Sequence, residues 1–358
     1  MDGAGPAVIQ LIGVRKAFPG AREDTIKGVS LDLRVGEVLA ILGPSGCGKT
    51  TTLRLIAGFE RPDSGQVLVR QRLVAGPSLF VPPERRGVGM LFQDYALFPH
   101  LTVGQNVAFG LQGRDRESRR RRVDEVLDLV ALAGLDARYP HQLSGGQQQR
   151  VGLARALAPG PAAVLLDEPF SNLDAAMRAE VRRDVHQVLR VNSTAAILVT
   201  HDREEALSLA DRVAVMVSGR IEQVGAPAEI YNHPHTLEVA RLVGPADFLP
   251  GRSQGESVVT ELGTLVCSAP GGAVTPGTEL RVMLRPWQIV VADQESGGAG
   301  DGVSATVVEQ EFRGPEILYI LRLPSGRLLH SPRRPDSPLP TGGEVRVTVR
   351  PGTVAVAF

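Results

Sequence analysis

The stretch Gly43-Pro44-Ser45-Gly46-Cys47-Gly48-Lys49-Thr50-Thr51 decides the fold, because the apolar run Val38-Leu39-Ala40-Ile41-Leu42 precedes it and Leu53-Arg54-Leu55-Ile56-Ala57 follows it. Strand, glycine-rich turn and helix come in that order, with Gly43, Gly48, Lys49 and Thr50 at the spacing of a phosphate-binding loop. Glycines let backbone N–H groups turn inward on phosphate oxygens, and the helix N-terminus adds positive potential. Lys49 would set a compact ammonium on the terminal phosphates, and the Thr50 hydroxyl would hold Mg²⁺. A chance glycine-rich turn is the plain alternative. Lysine, however, occurs only at Lys16, Lys27 and Lys49, so about 0.01 chance matches or fewer to the fixed positions are expected in a chain this long. Arginine replaces lysine almost everywhere else, so a lysine kept where a point charge is needed favours function.

The chain has 358 residues, with 39 basic and 39 acidic side chains and a formal net charge of zero. That length predicts two or three domains, each with its own core. The charge balance calls for neither nucleic acid nor an anionic surface. Cys47 and Cys267, the only cysteines, make no disulfide framework and fit a reducing cytoplasm. Cys47 reads as a small packing residue. The start Met1-Asp2-Gly3-Ala4-Gly5-Pro6 has no basic stretch followed by an apolar core, so no signal peptide is expected. No uncharged apolar run reaches bilayer length, so no spanning helix is expected either.

Alternating and continuous apolar runs predict strands over 8–14, 29–33, 38–42, 66–70 and 88–92. Phe18, in the loop after the first, reads equally as a core aromatic or as a shelf for a nucleobase. Gln93 ends the fifth strand, and Asp94-Tyr95-Ala96-Leu97-Phe98-Pro99-His100-Leu101 continues as an aromatic loop, either a core cover or an exposed patch. Residues 104–158 look helical, with Val123, Val126, Leu127 and Val130 on one face and Gly134 closing that helix. Arg119 to Arg122 read as a solvated helix end. Ser144 and Gln147 have capping-box spacing, and Gly145 and Gly146 bare the first-turn backbone donors. The strand at 163–166 ends in Asp167-Glu168, Asp174 caps a helix to Val191, and the strand at 197–200 ends at His201. Hairpin strands follow at 213–217 and 221–224. Beyond about Leu237 the pattern becomes short strands separated by turns such as Gly297-Gly298-Ala299-Gly300 and the stretch 331–341, which reads as a small β-barrel. Aromatics there are too sparse for a base-stacking platform.

Taken in order, the phosphate loop, Gln93, Leu143-Ser144-Gly145-Gly146-Gln147, Leu165-Leu166-Asp167-Glu168, Ser171-Asn172-Leu173-Asp174 and His201 closely resemble the ATP-binding-cassette (ABC) ATPases. The resemblance covers roughly residues 8–240. It implies an α/β phosphate-loop cassette over 1–236, with a helical subdomain at about 94–160, and an OB-like, transport-associated (TOBE-type) all-β domain over 237–358. It implies ATP and Mg²⁺ as ligands, with Thr50, Asp167 and Gln93 on the metal and Glu168 as general base. His201 would meet the γ-phosphate, Gln93 would reach the attacking water, and Phe18 and Asp174 would join the nucleotide site. Ser144, Gly145, Gly146 and Gln147 would cap ATP held by a second copy of the chain, in a head-to-tail sandwich.

One cassette followed by a barrel with Leu284-Arg285-Pro286 resembles the ATPase subunit of a bacterial binding-protein-dependent importer, although Trp287 stands where many members have glutamate. Arg138 to Leu143, Glu168 to Asp174 and His201 to Ala206 look most like ferric-iron importers. Polyamine, sulfate or thiosulfate and sugar importers are the alternatives, and a non-transport cassette acting on nucleic acid or ribosomes is a remote one. The implied partners are integral-membrane permease subunits, docking through Tyr95, Phe98, Pro99 and Leu101, and a periplasmic or surface solute-binding protein, with no nucleic acid. The implied place is the cytoplasmic face of the cell membrane.

Overall fold

Residues 6–20, 23–272, 274–293, 302–336 and 338–358 are described by the computed structural model. Met1 to Gly5 and the turn Gly297 to Gly300 lie outside them. The chain divides into two compact units, one ending at Ala228 and one beginning at Glu229.

The first unit runs β1 (Ala7–Lys16), β2 (Ile26–Arg34), β3 (Val38–Leu42), α1 (Lys49–Ala57), β4 (Ser64–Val69), β5 (Arg72–Ala75), β6 (Gly89–Leu91), α2 (Val103–Ala108), α3 (Arg116–Leu129) and α4 (Gly145–Leu157). It continues β7 (Ala163–Asp167), α5 (Ala175–Val191), β8 (Ala195–Thr200), α6 (Arg203–Leu209), β9 (Arg212–Val217) and β10 (Arg220–Gly225). An antiparallel sheet has the order β2-β1-β4-β5, and a six-stranded sheet the order β10-β9-β3-β8-β7-β6. In the second sheet every neighbouring pair but β9–β10 is parallel. Its strands β3, β7 and β8 are buried at every position, which is why their sequences are unbroken apolar runs rather than alternations. Register places Leu42 beside Thr200, Asp167 beside Val199 and Leu91 beside Leu166. The residues that follow these strands therefore emerge along one carboxyl edge, where ligands of parallel sheets bind.

Helix α1 carries the phosphate loop at its N-terminus, and a buried arginine closes its other end. Arg86 Nη1 donates to the carbonyls of Leu55 (2.7 Å) and Ile56 (2.9 Å), while its Nε donates to Val81 (2.7 Å). Burial lowers the Arg86 pKa to about 10, so the cation persists at neutral pH beside the negative end of the helix dipole. Arg86→Ala strands these buried carbonyls. It is expected to lower stability by about 3 kcal/mol, read as an earlier transition in urea, while Arg61→Ala at an exposed bond to Pro77 leaves the midpoint unmoved.

The helical stretch differs in detail from the sequence expectation. The face of Val123, Val126, Leu127 and Val130 is buried, but α3 ends at Leu129, and Ala131 (φ 55°) turns the chain before Gly134 (φ 74°) is reached. Arg119 to Arg122 lie in the first half of α3, ahead of its apolar face, with Arg119, Arg120 and Arg121 exposed, but Arg122 is no idle surface charge. Its Nε and Nη2 donate to Ala158 (3.0 Å) and Leu157 (3.3 Å), closing the carbonyl end of α4.

The second unit is more than a single barrel. Strands Asp247–Ser253, Ser257–Thr260, Gly263–Ser268, Val354–Ala357 and Glu279–Leu284 form a closed barrel. Strands Ile289–Asp293, Glu344–Val349, Val303–Phe312, Ile317–Arg322 and Leu328–Arg333 form a further sheet. The barrel closes because Val354–Ala357 returns to pair parallel with Gly263–Ser268 and antiparallel with Glu279–Leu284. Arg285 of the Leu284-Arg285-Pro286 run is 1% exposed. Its Nη1 donates to Ala240 (3.0 Å), Gly244 (2.9 Å) and Pro245 (3.1 Å), its Nη2 to Tyr231 (2.7 Å), and its guanidinium lies 4.2 Å from the Tyr231 ring centroid. That staple fixes α7 (Pro227–Asn232) and α8 (Leu237–Val243) to the barrel. The division between the units falls within the first turn of α7, after Ala228, where composition placed the change of pattern at 237.

Candidate active site

Four neighbouring strands of the parallel sheet deliver the chemistry. The phosphate loop follows β3, His201 follows β8, Asp167 ends β7 with Glu168 directly after it, and Gln93 follows β6. Gly46 (φ 79°) and Gly48 (φ 109°) adopt the left-handed conformation that the loop's turns require. Gly43 is needed for space, since a Cβ there would lie 2.2 Å from the Met216 carbonyl oxygen and 2.7 Å from Cys47 Sγ. Cys47 is buried, and burial pushes its thiol pKa up, which makes it a packing residue and not a nucleophile. Lys49 Nζ lies within the loop, donating to Gly43 O (2.8 Å) and Pro44 O (3.0 Å).

Thr50 Oγ1 donates to Asp167 Oδ1 at 2.9 Å. Burial pushes the Asp167 carboxyl pKa up, partly offset by this hydroxyl; Glu168 adds to the rise, and Arg54 and Lys49 oppose it. Glu168 Oε2 lies 3.1 Å from His201 Nδ1, and a backbone φ of 42°, uncommon for a residue with a Cβ, directs its side chain. The strained turn is held on both sides: Glu168 N donates to Val199 O (3.0 Å), and Ser171 Oγ donates to Glu168 O (3.0 Å). His201 is over half exposed and Glu168 about one-fifth, so the pair opens toward a site where a base and a phosphate-contacting imidazole can work together.

The Gln93 backbone carbonyl accepts from Asn172 Nδ2 at 2.8 Å, which ties its turn to the Ser171–Asp174 segment. Asp174 caps α5, accepting from Met177 N (2.9 Å). Ser144 caps α4 with both bonds of the capping box: Gln147 N to Ser144 Oγ (3.3 Å) and Ser144 N to Gln147 Oε1 (3.0 Å). Ser144 and Gly145 are exposed, whereas Gly146 is buried against Met177 and Val181. Phe18 is half-buried and outside the apolar core clusters.

Composition alone did not single out several of the residues that shape this region. Glu205 is buried, its carboxyl raised by burial, and it accepts from the Thr200 hydroxyl at 2.5 Å. Thr200 Oγ1 in turn accepts from Asp202 N at 2.9 Å, so the turn carrying His201 is braced from below. Arg178, with Glu168, Ser171, Thr200, His201, Asp202 and Glu205, lines a cavity of about 80 Å³. Nothing periodic marks these positions.

Tyr95 requires a correction. Expected on a docking patch, it is only 5% exposed, packed in the core of the helical region, with a hydroxyl that has no hydrogen-bond partner. Arg155 Nη2 and Nη1 grip the carbonyls of Tyr95 (2.8 Å) and Ala96 (2.6 Å), both at positive φ, and turn the ring inward. Phe98, Pro99 and Leu101 remain at least partly exposed. Asn106, fully buried, organises them by donating to Phe98, Leu101 and Thr102 carbonyls and accepting from Phe98 N. Phe109, 48% exposed and 4.4 Å from the Phe98 ring, extends the apolar surface.

Comparison with known proteins decides the family. Residues 26–171 match the ABC transporter family and residues 282–356 the TOBE domain. The chain is 49% identical over 319 residues to a Fe(3+) ions import ATP-binding protein of Rhodococcus jostii, covering 89% of this chain and 88% of that one. The chain belongs to the ABC transporter ATP-binding proteins. A second relative of this ABC chain, a Fe(3+) ions import ATP-binding protein of Pseudomonas fluorescens, is 46% identical over 82% of this chain and 81% of its own. A spermidine/putrescine import ATP-binding protein of Methylococcus capsulatus is 43% identical over 91% and 86%. Among solved structures, a dimeric ATP-binding cassette in a post-hydrolysis state bound to ADP and Pi matches with a TM-score of 0.54 at 31% identity, covering 61% of this chain and 98% of that one. The chain is thus an ABC ATPase with a TOBE-type β unit, and among its described residues no helix is long and apolar enough to cross a membrane.

Proposed function

We propose that this chain hydrolyses ATP as a homodimer to power ferric-iron uptake through a separate permease, at the cytoplasmic face of the cell membrane. The observation that carries the reading of the site is the convergence of Lys49, Thr50, Asp167, Glu168 and His201 on one sheet edge, with Glu168 and His201 in contact at 3.1 Å. Ferric cargo is supported by the names and 46–49% identities of the import relatives; the polyamine relative at 43% keeps that cargo as the second reading.

Loop amides and Lys49 bind the phosphates, and Phe18 stacks on the base. The Thr50 hydroxyl and the buried Asp167 carboxyl, 2.9 Å apart, are hard oxygen donors few enough to suit Mg²⁺, which keeps most of its shell for water and phosphate. An ion held by these residues would supply positive charge against the phosphates of the nucleotide. Glu168 takes a proton from the attacking water, His201 and Gln93 orient water and γ-phosphate, and Ser144 to Gln147 of a second copy cap the nucleotide beside Asp174. The surface of Phe98, Pro99 and Leu101, widened by Phe109, receives the permease, and a solute-binding protein delivers the cargo.

Reconstitution with its partner permease and solute-binding protein tests the cargo. Ferric iron is expected to accumulate in proteoliposomes only with ATP on the cassette side. Accumulation of spermidine, thiosulfate or sugar in place of iron would overturn the assignment.

A further inference from the structure

Of the lysines of this chain, Lys16, Lys27 and Lys49, Lys49 lies in the phosphate loop and Lys27 is linked to it through Gly219. Lys27 N donates to Gly219 O (2.8 Å) and Gly219 N to Cys47 O (3.0 Å), which links β2 to the back of the loop. Lys16, at the end of β1, has a side chain only 14% exposed. Its ammonium lies 3.6 Å from Asp63 Oδ1, 3.7 Å from Glu60 Oε2 and 5.3 Å from the centroid of the Phe18 ring. Asp63 also grips the backbone on both sides of this lysine: its N donates to Arg15 O (2.9 Å) and its Oδ2 accepts from Ala17 N (2.7 Å). Asp63 stands in the segment between α1 and β4, so the chain that leaves the helix begun at the phosphate loop leads to the clamp beneath Phe18. At the far side of the same loop, Thr25 and Ile26 pack against the phosphate loop itself. A Cβ on Gly48 would lie 3.0 Å from Thr25 O and 2.7 Å from Ile26 Cδ1.

We infer that Lys16 and Asp63 are positioning residues that hold Phe18 as a one-faced shelf for the nucleobase of ATP; this rests on the nucleotide site proposed above. The ammonium covers one face of the ring and leaves the other for the purine. A cation over the ring also draws on its negative face, which favours stacking with an electron-rich base. Lysine suits the place because a compact point charge fits between Glu60, Asp63 and the ring, whereas a planar guanidinium would spread over the ring and fork onto one carboxylate.

The test uses the full chain, steady-state ATP turnover, and inorganic tripolyphosphate as a competitor that has phosphates but no base. Lys16→Met and Asp63→Asn are each expected to raise the KM for ATP about fivefold to tenfold, with kcat and tripolyphosphate inhibition unchanged. Phe18→Ala should do the same, and Lys16→Met should add nothing to it. Lys16→Arg, which keeps charge and solubility, should raise the KM as well. An unchanged KM in Lys16→Met and Lys16→Arg beside a raised KM in Phe18→Ala would overturn the clamp and leave the base shelf standing. An unchanged KM in Phe18→Ala would overturn the shelf and the clamp together. An equal loss of tripolyphosphate inhibition would place Lys16 on the phosphates and overturn the inference too.

Discussion

Replacing Glu168 with glutamine is expected to lower steady-state ATP turnover about 100-fold or more, a loss of roughly 3 kcal/mol of transition-state stabilisation, while ATP binding persists. The physical reason lies in what the substitution keeps. The left-handed turn at Glu168 is fixed by backbone and Ser171 contacts that glutamine does not disturb, and the amide oxygen can still face His201 across 3.1 Å. Only the ability to take a proton is lost. Bound ATP then has no exit by hydrolysis, and release of nucleotide from the closed pair becomes slow. Turnover close to that of the unaltered chain would remove Glu168 from the role of base.

Ser144→Arg is expected to abolish turnover as completely, for a different reason and with a different signature. Ser144 supplies no contact to Lys49, Thr50 or Asp167 among the bonds of the site; it caps α4 through Gln147 and exposes the helix end. An arginine there removes the cap, worth about 1 kcal/mol, and fills the surface that the partner's γ-phosphate would meet. Equilibrium binding of a fluorescent ATP analogue to the isolated chain should change by less than about twofold, because the loop, Lys49 and Phe18 are untouched. A large loss of binding would place Ser144 in the same chain's site.

How much of this was legible in the sequence follows from how local each feature is. The phosphate loop, the Ser144 capping box and the Asp174 cap are set by residues within a few positions, so spacing reveals them. The parallel strands are legible for the same reason, since burial on both faces writes an unbroken apolar run. Tyr95 was not, because its burial depends on Arg155, some sixty positions away, holding two strained carbonyls. Arg86, Arg122 and Arg285 look like any other arginine in a chain rich in them, yet each closes the carbonyl end of a helix or loop. Barrel closure by Val354–Ala357 joins segments distant in sequence, and short alternating strands carry no record of their partners. Glu205 and Thr200 read as ordinary strand-end and helix residues until the fold brings them under His201.

Completion of each site by the other chain is tested most directly by nucleotide release from mixed dimers. One chain carries Glu168→Gln and Ser144→Arg, binding ATP but unable to cap its partner; the other carries Glu168→Gln and Lys49→Ala, able to cap but not to bind. Labelled ATP is bound and chased with excess unlabelled ATP. Fast release from the binding-competent chain alone and no bound label on the other, with a slow phase appearing only in the mixture, is the expected result. A mixture that releases ATP as fast as the binding-competent chain alone, while Glu168→Gln alone retains it, would contradict a site shared between two chains.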